Sequence, residues 1–346
     1  MRILFDINHP GHVHFFKHII RILEKNGHEA FISARQKEMT IYLLEKYGFE
    51  YEVASSLGRG KIGLLKELVS HEKKVYEILK KNDGEVVLSI GGTFNVHACK
   101  LLSIPSLVFT DTENARFTNR ITFPFATKII TPTCYKEDLG KKQVQYNGYH
   151  ELAYLHPKYF TPDPSILETL GVEKSERYTI MRFVSWKALH DKGHKGLSLE
   201  MKKKAVSEFS KFGKVFITSE ANLPKDLERY RINIPPERIH DALYYASLLF
   251  GESATMASEC SILGTPAIYI DDAGRGYTDE QERKYGSVFN FSESGEDQKK
   301  SVAKGAEIIK REDLKEEWAK KRDQLLKDKI DVTRWVVEYL HEFEKK

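Results

Sequence analysis

The sequence predicts an α/β protein built from two parallel-sheet domains, and three observations carry that prediction. Short β-branched runs alternate with helix-sized amphipathic stretches. The alternation breaks once, in the proline- and aromatic-rich stretch 147–165, and then starts again. Strands separated by helix-length segments imply parallel βαβ units with right-handed crossovers. At 346 residues the chain also exceeds the usual size of one hydrophobic core.

The elements follow in order. Residues 1–5 are strand-like, and 13–26 place Phe15, Phe16, Ile19, Ile20 and Leu23 at the spacing of one helical face before Gly27 closes it. EAFISAR (29–35) is a second strand, and 37–47 is helical up to Gly48. EVVLSIGG (85–92), PSLVFTD (105–111) and ATKIITPT (126–133) continue the pattern. After the break come YTIMRFVS (178–185), KVFITS (214–219), LLFGES (248–253) and PAIYID (266–271), then a charged helical tail from about 301 to 346. The expected division is a first domain at 1–155, a second at 156–330, and a C-terminal helix at 331–346 that can pack back on the first domain. Two such domains facing each other would set the carboxyl ends of both sheets across one cleft, where open α/β sheets bind ligands.

Composition narrows the function classes. Hydrophobic content of 41% and charged content of 30% describe a soluble globular chain. The formal charge of +4, from 54 basic and 50 acidic residues, calls for no nucleic acid; it suits an anionic ligand and at most peripheral contact with an acidic membrane. Cys99, Cys134 and Cys260 lie far apart without a CxxC pair, so neither a disulfide framework nor a structural zinc is indicated. Asp6 interrupts any signal-like apolar core, and no apolar stretch approaches the roughly 20 residues of a membrane span. A cytoplasmic location is expected.

GESATMASECSILGTPAIYI (251–270) reads as strand end, small-residue turn, helix and next strand. Small residues at Ser253, Ala254 and Thr255 would leave a helix N-terminus open to a diphosphate. Glu259, further into that helix, could accept both hydroxyls of a ribose; the alternative is a plain helix start with Glu259 solvated. The order Ser253, Glu259, Gly264, Pro266 resembles the donor-nucleotide motif of GT-B-fold enzymes, shared by MurG-like N-acetylglucosaminyltransferases and UDP-N-acetylglucosamine 2-epimerases. That resemblance implies a ribose-binding role for Glu259.

The first half is similar to the MurG-like pattern across 89–130, where Gly91, Gly92, Asn114 and Asn119 match. HPGHVHF stands where such enzymes carry a Gly-Gly-His turn, with Pro10-Gly11-His12 replacing one glycine. DINHPGHVHFF together with RFVSWKALHDKGHKG (182–196) resembles a widespread prokaryotic family of unknown function within the GT-B superfamily. The implied architecture is two Rossmann-like domains facing across a cleft, the first on the acceptor side and the second binding a nucleotide-sugar.

Candidate residues follow. His12, at the first strand-to-helix turn, can take the proton of an acceptor hydroxyl or bind a phosphate, and His9 and Gly11 lie beside it. His14 and His18 are one helical turn apart but have no third ligand nearby, so a packed or solvated pair is expected and no metal. Arg182, Ser185 and Lys187 offer donors to a diphosphate, with His190 and His194 adding polar groups; the alternative is an exposed basic loop. Segment 271–286 has the length and polarity of a loop over the donor sugar, with Arg275, Asp279 and Gln281 as candidates.

Three functions suit this scaffold: glycosyl transfer, sugar-nucleotide epimerisation, and non-catalytic nucleotide-sugar binding. Epimerases of the family place a carboxylate where this chain has Gly92, although Asp111 and Glu113 leave a partial acid set. Transfer needs only a base and stabilisation of the departing diphosphate. The expectation is a metal-independent glycosyltransferase of cell-surface, glycolipid or polysaccharide synthesis. It would use a nucleotide-sugar, UDP-linked first, as substrate without further cofactor, with His12 or Asp111 as base and an open acceptor identity that includes lipid-linked acceptors.

Overall fold

The computed structural model describes residues 1–58, 60–184, 196–219 and 222–345. They form two compact units, residues 1–154 with 330–346, and residues 155–329.

The first unit is a seven-stranded sheet of β1 (Arg2–Ile7), β2 (Glu29–Gln36), β3 (Glu52–Ser56), β4 (Val86–Ile90), β5 (Ser106–Phe109), β6 (Lys128–Pro132) and β7 (Gln143–Tyr146). Its order is β3-β2-β1-β4-β5-β6-β7, and every pairing is parallel. The chain runs outward from β1 to β3 and then crosses back to β4, so β1 and β4 flank the switch point at which open sheets bind ligands. β1 is covered on both faces, which is why it reads as a continuous apolar run except at Asp6.

The first helix, Pro10–Lys25, begins earlier than its apolar periodicity suggests. His9 caps it by accepting the Gly11 N–H on its ring, and proline opens the first turn, where its missing N–H costs nothing. Phe15 and Phe16 anchor it to the sheet through Phe109 and Phe5, with ring centroids 5.2 and 5.3 Å apart. The helix Val332–Glu344 belongs to this unit: Thr333 donates to the Ala153 carbonyl at 2.7 Å, and Trp335 packs on Tyr146 at 5.2 Å.

The second unit is a parallel five-stranded sheet of β8 (Tyr178–Phe183), β9 (Lys214–Ser219), β10 (Leu248–Gly251), β11 (Ala267–Ile270) and β12 (Val288–Phe291), ordered β12-β11-β10-β8-β9. Here the switch point lies between β8 and β10. Its core packs Met181, Phe183, Phe209, Phe250 and Ile268 against Trp318 of the helix Leu314–Asp328. Among the described residues, no helix is long and apolar enough to cross a membrane.

Candidate functional site

The switch point of the first unit is built on a buried carboxylate. Asp6 accepts four hydrogen bonds: Ser33 Oγ at 2.7 Å and His71 Nε2 at 2.8 Å on Oδ1, and Asn8 Nδ2 and Asn95 Nδ2 on Oδ2, both at 2.8 Å. Burial alone would raise its pKa, but the charge and hydrogen bond of His71 and the two asparagine amides outweigh it and bring the group down to about 2. The knot continues outward, for His71 Nδ1 lies 2.7 Å from Ser55 Oγ and Ser55 donates to Glu67, which Arg35 clamps through two nitrogens at 2.6 and 2.9 Å.

This knot fixes His12. The Asn8 side chain is held by Asp6, and the Asn8 backbone N–H donates to His12 Nδ1 at 3.2 Å. Partial burial and the nearby His9, His150 and Lys37 push the ring well below its ordinary value, to about 3, against a smaller upward pull from Asp6. The expectation of His12 as a base therefore needs correction. A backbone amide can only donate, so Nδ1 carries the lone pair and the neutral ring carries its proton on Nε2. The first turn offers no phosphate cradle either, because His9 takes the Gly11 N–H on its ring and the His12 N–H on its carbonyl, the latter at 2.9 Å. His14 and His18 do not form a ligand pair: His14 is buried between Tyr47 and Tyr154, at centroid distances of 5.9 and 5.4 Å. Among the described residues no cluster of His, Cys, Asp or Glu is arranged to hold a metal.

Beyond β5, Asp111 meets a histidine that sequence reasoning missed. His150 Nδ1 lies 3.0 Å from Asp111 Oδ2, and Thr112 Oγ1 donates to Oδ1 at 2.9 Å. The His150 ring is buried edge-on against Phe15 at 4.8 Å, and its Nε2 meets no hydrogen-bond partner among the described residues. Asp111 keeps 15% of its side chain exposed, which leaves the carboxylate the reachable end of the pair. Glu113 accepts the Lys136 N–H at 3.2 Å, and burial raises its pKa. Asn114 is half-buried, and Asn119 donates to the Thr112 carbonyl at 3.4 Å while lining an open groove of about 460 Å³ with Arg116, Arg120 and Lys142.

Gly91 and Gly92 both adopt positive φ, at 76° and 65°. At Gly92 a Cβ would stand 2.7 Å from Val108 Cγ2 and 3.0 Å from Thr122 Cγ2. Backbone conformation and packing together disfavour a side chain at this position.

In the second unit, Ser253 caps the helix Ala254–Leu263 through the Met256 N–H at 3.3 Å. Its hydroxyl is thus committed to the helix, and the anion-attracting end is made by the first-turn amides of Ala254 and Thr255. Glu259 is not a solvated residue: it is buried, and His240 Nε2 lies 2.9 Å from its Oε1. Arg182 lies near the end of β8, with Nη1 donating to Thr218 Oγ1 at 3.0 Å. Ser185, Lys187, His190 and His194 lie outside the described residues.

Glu252 is another residue that no motif marked. Its buried carboxylate accepts the Val184 N–H at 2.8 Å and the Leu197 N–H at 2.6 Å, binding the two backbone positions on either side of 185–195. The expected loop at 271–286 is a correction. Residues Gly276–Glu280 are α-helical and Gln281–Tyr285 form a π-helical turn, so Gln281 is fully buried and donates to Ser258 Oγ at 2.8 Å instead of reaching over a sugar. Arg275 is engaged too, donating to the Gly274 carbonyl at 2.6 Å and to Asp271 at 3.4 Å.

A family model described as "Protein of unknown function (DUF354)" matches residues 1–274. By sequence, an uncharacterised protein of Methanocaldococcus jannaschii is 26% identical over 277 residues, covering 76% of this chain and 80% of its own. An N-acetylmuramyl-(pentapeptide) pyrophosphoryl-undecaprenol N-acetylglucosamine transferase of Francisella tularensis is 22% identical over 283 residues, covering 75% of this chain and 74% of its own. By structure, the UDP-GlcNAc 2-epimerase of Neisseria meningitidis bound to UDP-GlcNAc matches with a TM-score of 0.73 at 13% identity, over 99% of this chain and 100% of the other. At that identity the likeness shows the fold, which is GT-B.

Proposed function

Because this chain belongs to the DUF354 family and has the GT-B fold, we propose that it transfers a sugar from a nucleotide-activated donor, UDP-linked first, to a hydroxyl acceptor without a metal. A transferase among its relatives by sequence and an epimerase among those by structure leave two reactions to weigh. The observation that favours transfer is Gly92, where the epimerase pattern calls for a carboxylate and this chain has a left-handed, crowded glycine.

In this reading the second unit holds the nucleotide. The N-terminal amides of the helix Ala254–Leu263 face the diphosphate, and Glu259, steadied by His240, accepts from the ribose. Asp111 in the first unit takes the proton of the acceptor hydroxyl, with His150 orienting it. The acceptor oxygen bonds to the anomeric carbon, the bond from that carbon to the phosphate oxygen breaks, and the electron pair leaves with the nucleoside diphosphate.

A thermal-unfolding screen with UDP, GDP, TDP, CDP and ADP tests the donor site. At 100 times its dissociation constant a ligand stabilises by about 2.7 kcal/mol, so the correct base should raise the midpoint by a few degrees. Glu259→Ala should then weaken calorimetric affinity about tenfold, the worth of a charge-assisted hydrogen bond. Absence of a shift with every nucleotide would sink the reading. Solvent deuterium entering C2 of UDP-N-acetylglucosamine would favour epimerisation instead.

A further inference from the structure

We propose that His12 acts as a neutral hydrogen-bond donor, offering its Nε2–H to an oxygen of the bound substrate, and that it takes no proton in the reaction. The proposal rests on the transfer reading for the identity of that substrate, but the tautomer it requires is set by the first unit alone.

The tautomer follows from the Asn8 contact. To accept a proton on Nε2, the ring would first have to carry hydrogen on Nδ1, which would then point at the Asn8 N–H 3.2 Å away. Two donors cannot share that line, so the productive base tautomer is excluded for as long as Asn8 stays in place. Asn8 is held by the Asp6 carboxylate, itself fixed from three further sides by Ser33, His71 and Asn95. A four-bonded buried carboxylate thus acts at a distance on the ring, through one side-chain amide and one backbone amide.

The charges around the ring act in the same sense. His9 precedes it in the same turn, Lys37 comes from the end of β2, His150 from beyond β7, and Asp6 from β1; burial, the largest effect, together with the basic side chains outweighs the one anion. His12 as a residue is half-buried and keeps part of its surface exposed. A ring of depressed basicity stays neutral near pH 7, and a neutral imidazole can polarise an oxygen by donating its Nε2–H to it. Its place in the step is to hold an oxygen in position or to steady charge developing on it, while the proton of the nucleophile goes to Asp111.

The test separates donation from proton transfer. His12→Ala should lower turnover of the nucleotide-sugar chosen by the thermal screen by about 100-fold or more, the usual cost of removing a positioned donor. His12→Gln should recover most of that loss, because glutamine offers an N–H but cannot ionise to take a proton. A glutamine variant as inactive as the alanine variant would overturn the proposal, as would full turnover in His12→Ala. The second readout needs no substrate: in the intact protein with ¹⁵N-labelled histidine, the His12 ring should show a pyridine-like Nδ1 and a pyrrole-like Nε2, unchanged between pH 5 and 8. A protonated Nδ1, or titration near neutrality, would overturn the assignment even if sugar transfer is confirmed. The expected tautomer would stand even if the donor proved to be another nucleotide.

Discussion

Asp6 and His12 lie on one hydrogen-bond path, and each ties stability to pH over its own range. Asp6 falls from the ordinary carboxylate value of 3.8 to about 2 on folding, so its contribution is complete above 3.8 and is lost as pH drops toward 2. His12 and His18, lowered by burial first and then by neighbouring basic side chains, fall from 6.5 to about 3 and about 4. The unfolded chain therefore takes up protons at these rings below pH 6.5 while the folded chain does not, and stability should decline from 6.5 downward. Urea midpoints measured from pH 7 to pH 4 should fall, and His12→Gln should flatten the slope; a slope unchanged by the substitution would mean the folded ring titrates normally. The sequence exposed the individual residues here unevenly. His12, Asp111 and Glu259 stood in recognisable motifs, whereas His150 and His240 sit in stretches whose only local signal is aromatic or apolar, and their partners are 39 and 19 positions away. Asn95 and Glu252 act on residues brought near only by sheet topology, which no local spacing reveals.

Among the elements, Glu252 ties the end of β8 to the approach of the helix Leu199–Phe209 through two backbone amides. Glu252→Ala would leave both without their acceptor, at about 1–3 kcal/mol for each amide that stays buried. The thermal midpoint should fall by several degrees, and Glu252→Gln, with one carbonyl oxygen in place of two, should lose less. A midpoint equal to the parent's in the alanine variant would show that water replaces the carboxylate at no cost. The strands legible in the sequence are mostly the interior ones, because strands covered on both faces carry continuous apolar runs. The three it did not disclose, β3, β7 and β12, are all sheet edges: EVASS and QVQY are largely polar, and VFNF has a polar interruption. Edge strands face solvent and take their pairing from the neighbour. The helix expected to start at 13 starts at Pro10 for a related reason, since its cap is an imidazole and histidine is not a residue that usually announces a helix start.

For the molecule as a whole, the first unit is assembled from two distant stretches of chain, with the whole of the second unit, 155–329, interposed between them. Leu340 and Val336 of the helix Val332–Glu344 are completely buried, and Trp335 covers Tyr146 at the sheet edge. Leu340→Ala should cost about 2–5 kcal/mol, the range for a leucine truncated in a packed core. Amide exchange should quicken in the first helix and in β7; protection left intact there would mean the helix contributes little to this core. The same arrangement orders events at the ribosome. When residue 154 emerges, the seven-stranded sheet has all its strands but not the helix that covers part of it, and the apolar surface around Tyr146 stays bare until residues 330–346 have been made. By then every residue of the second unit has been translated. The first unit to begin is thus the last to close, and throughout synthesis of 155–329 its face around Tyr146 lacks the helix that covers it.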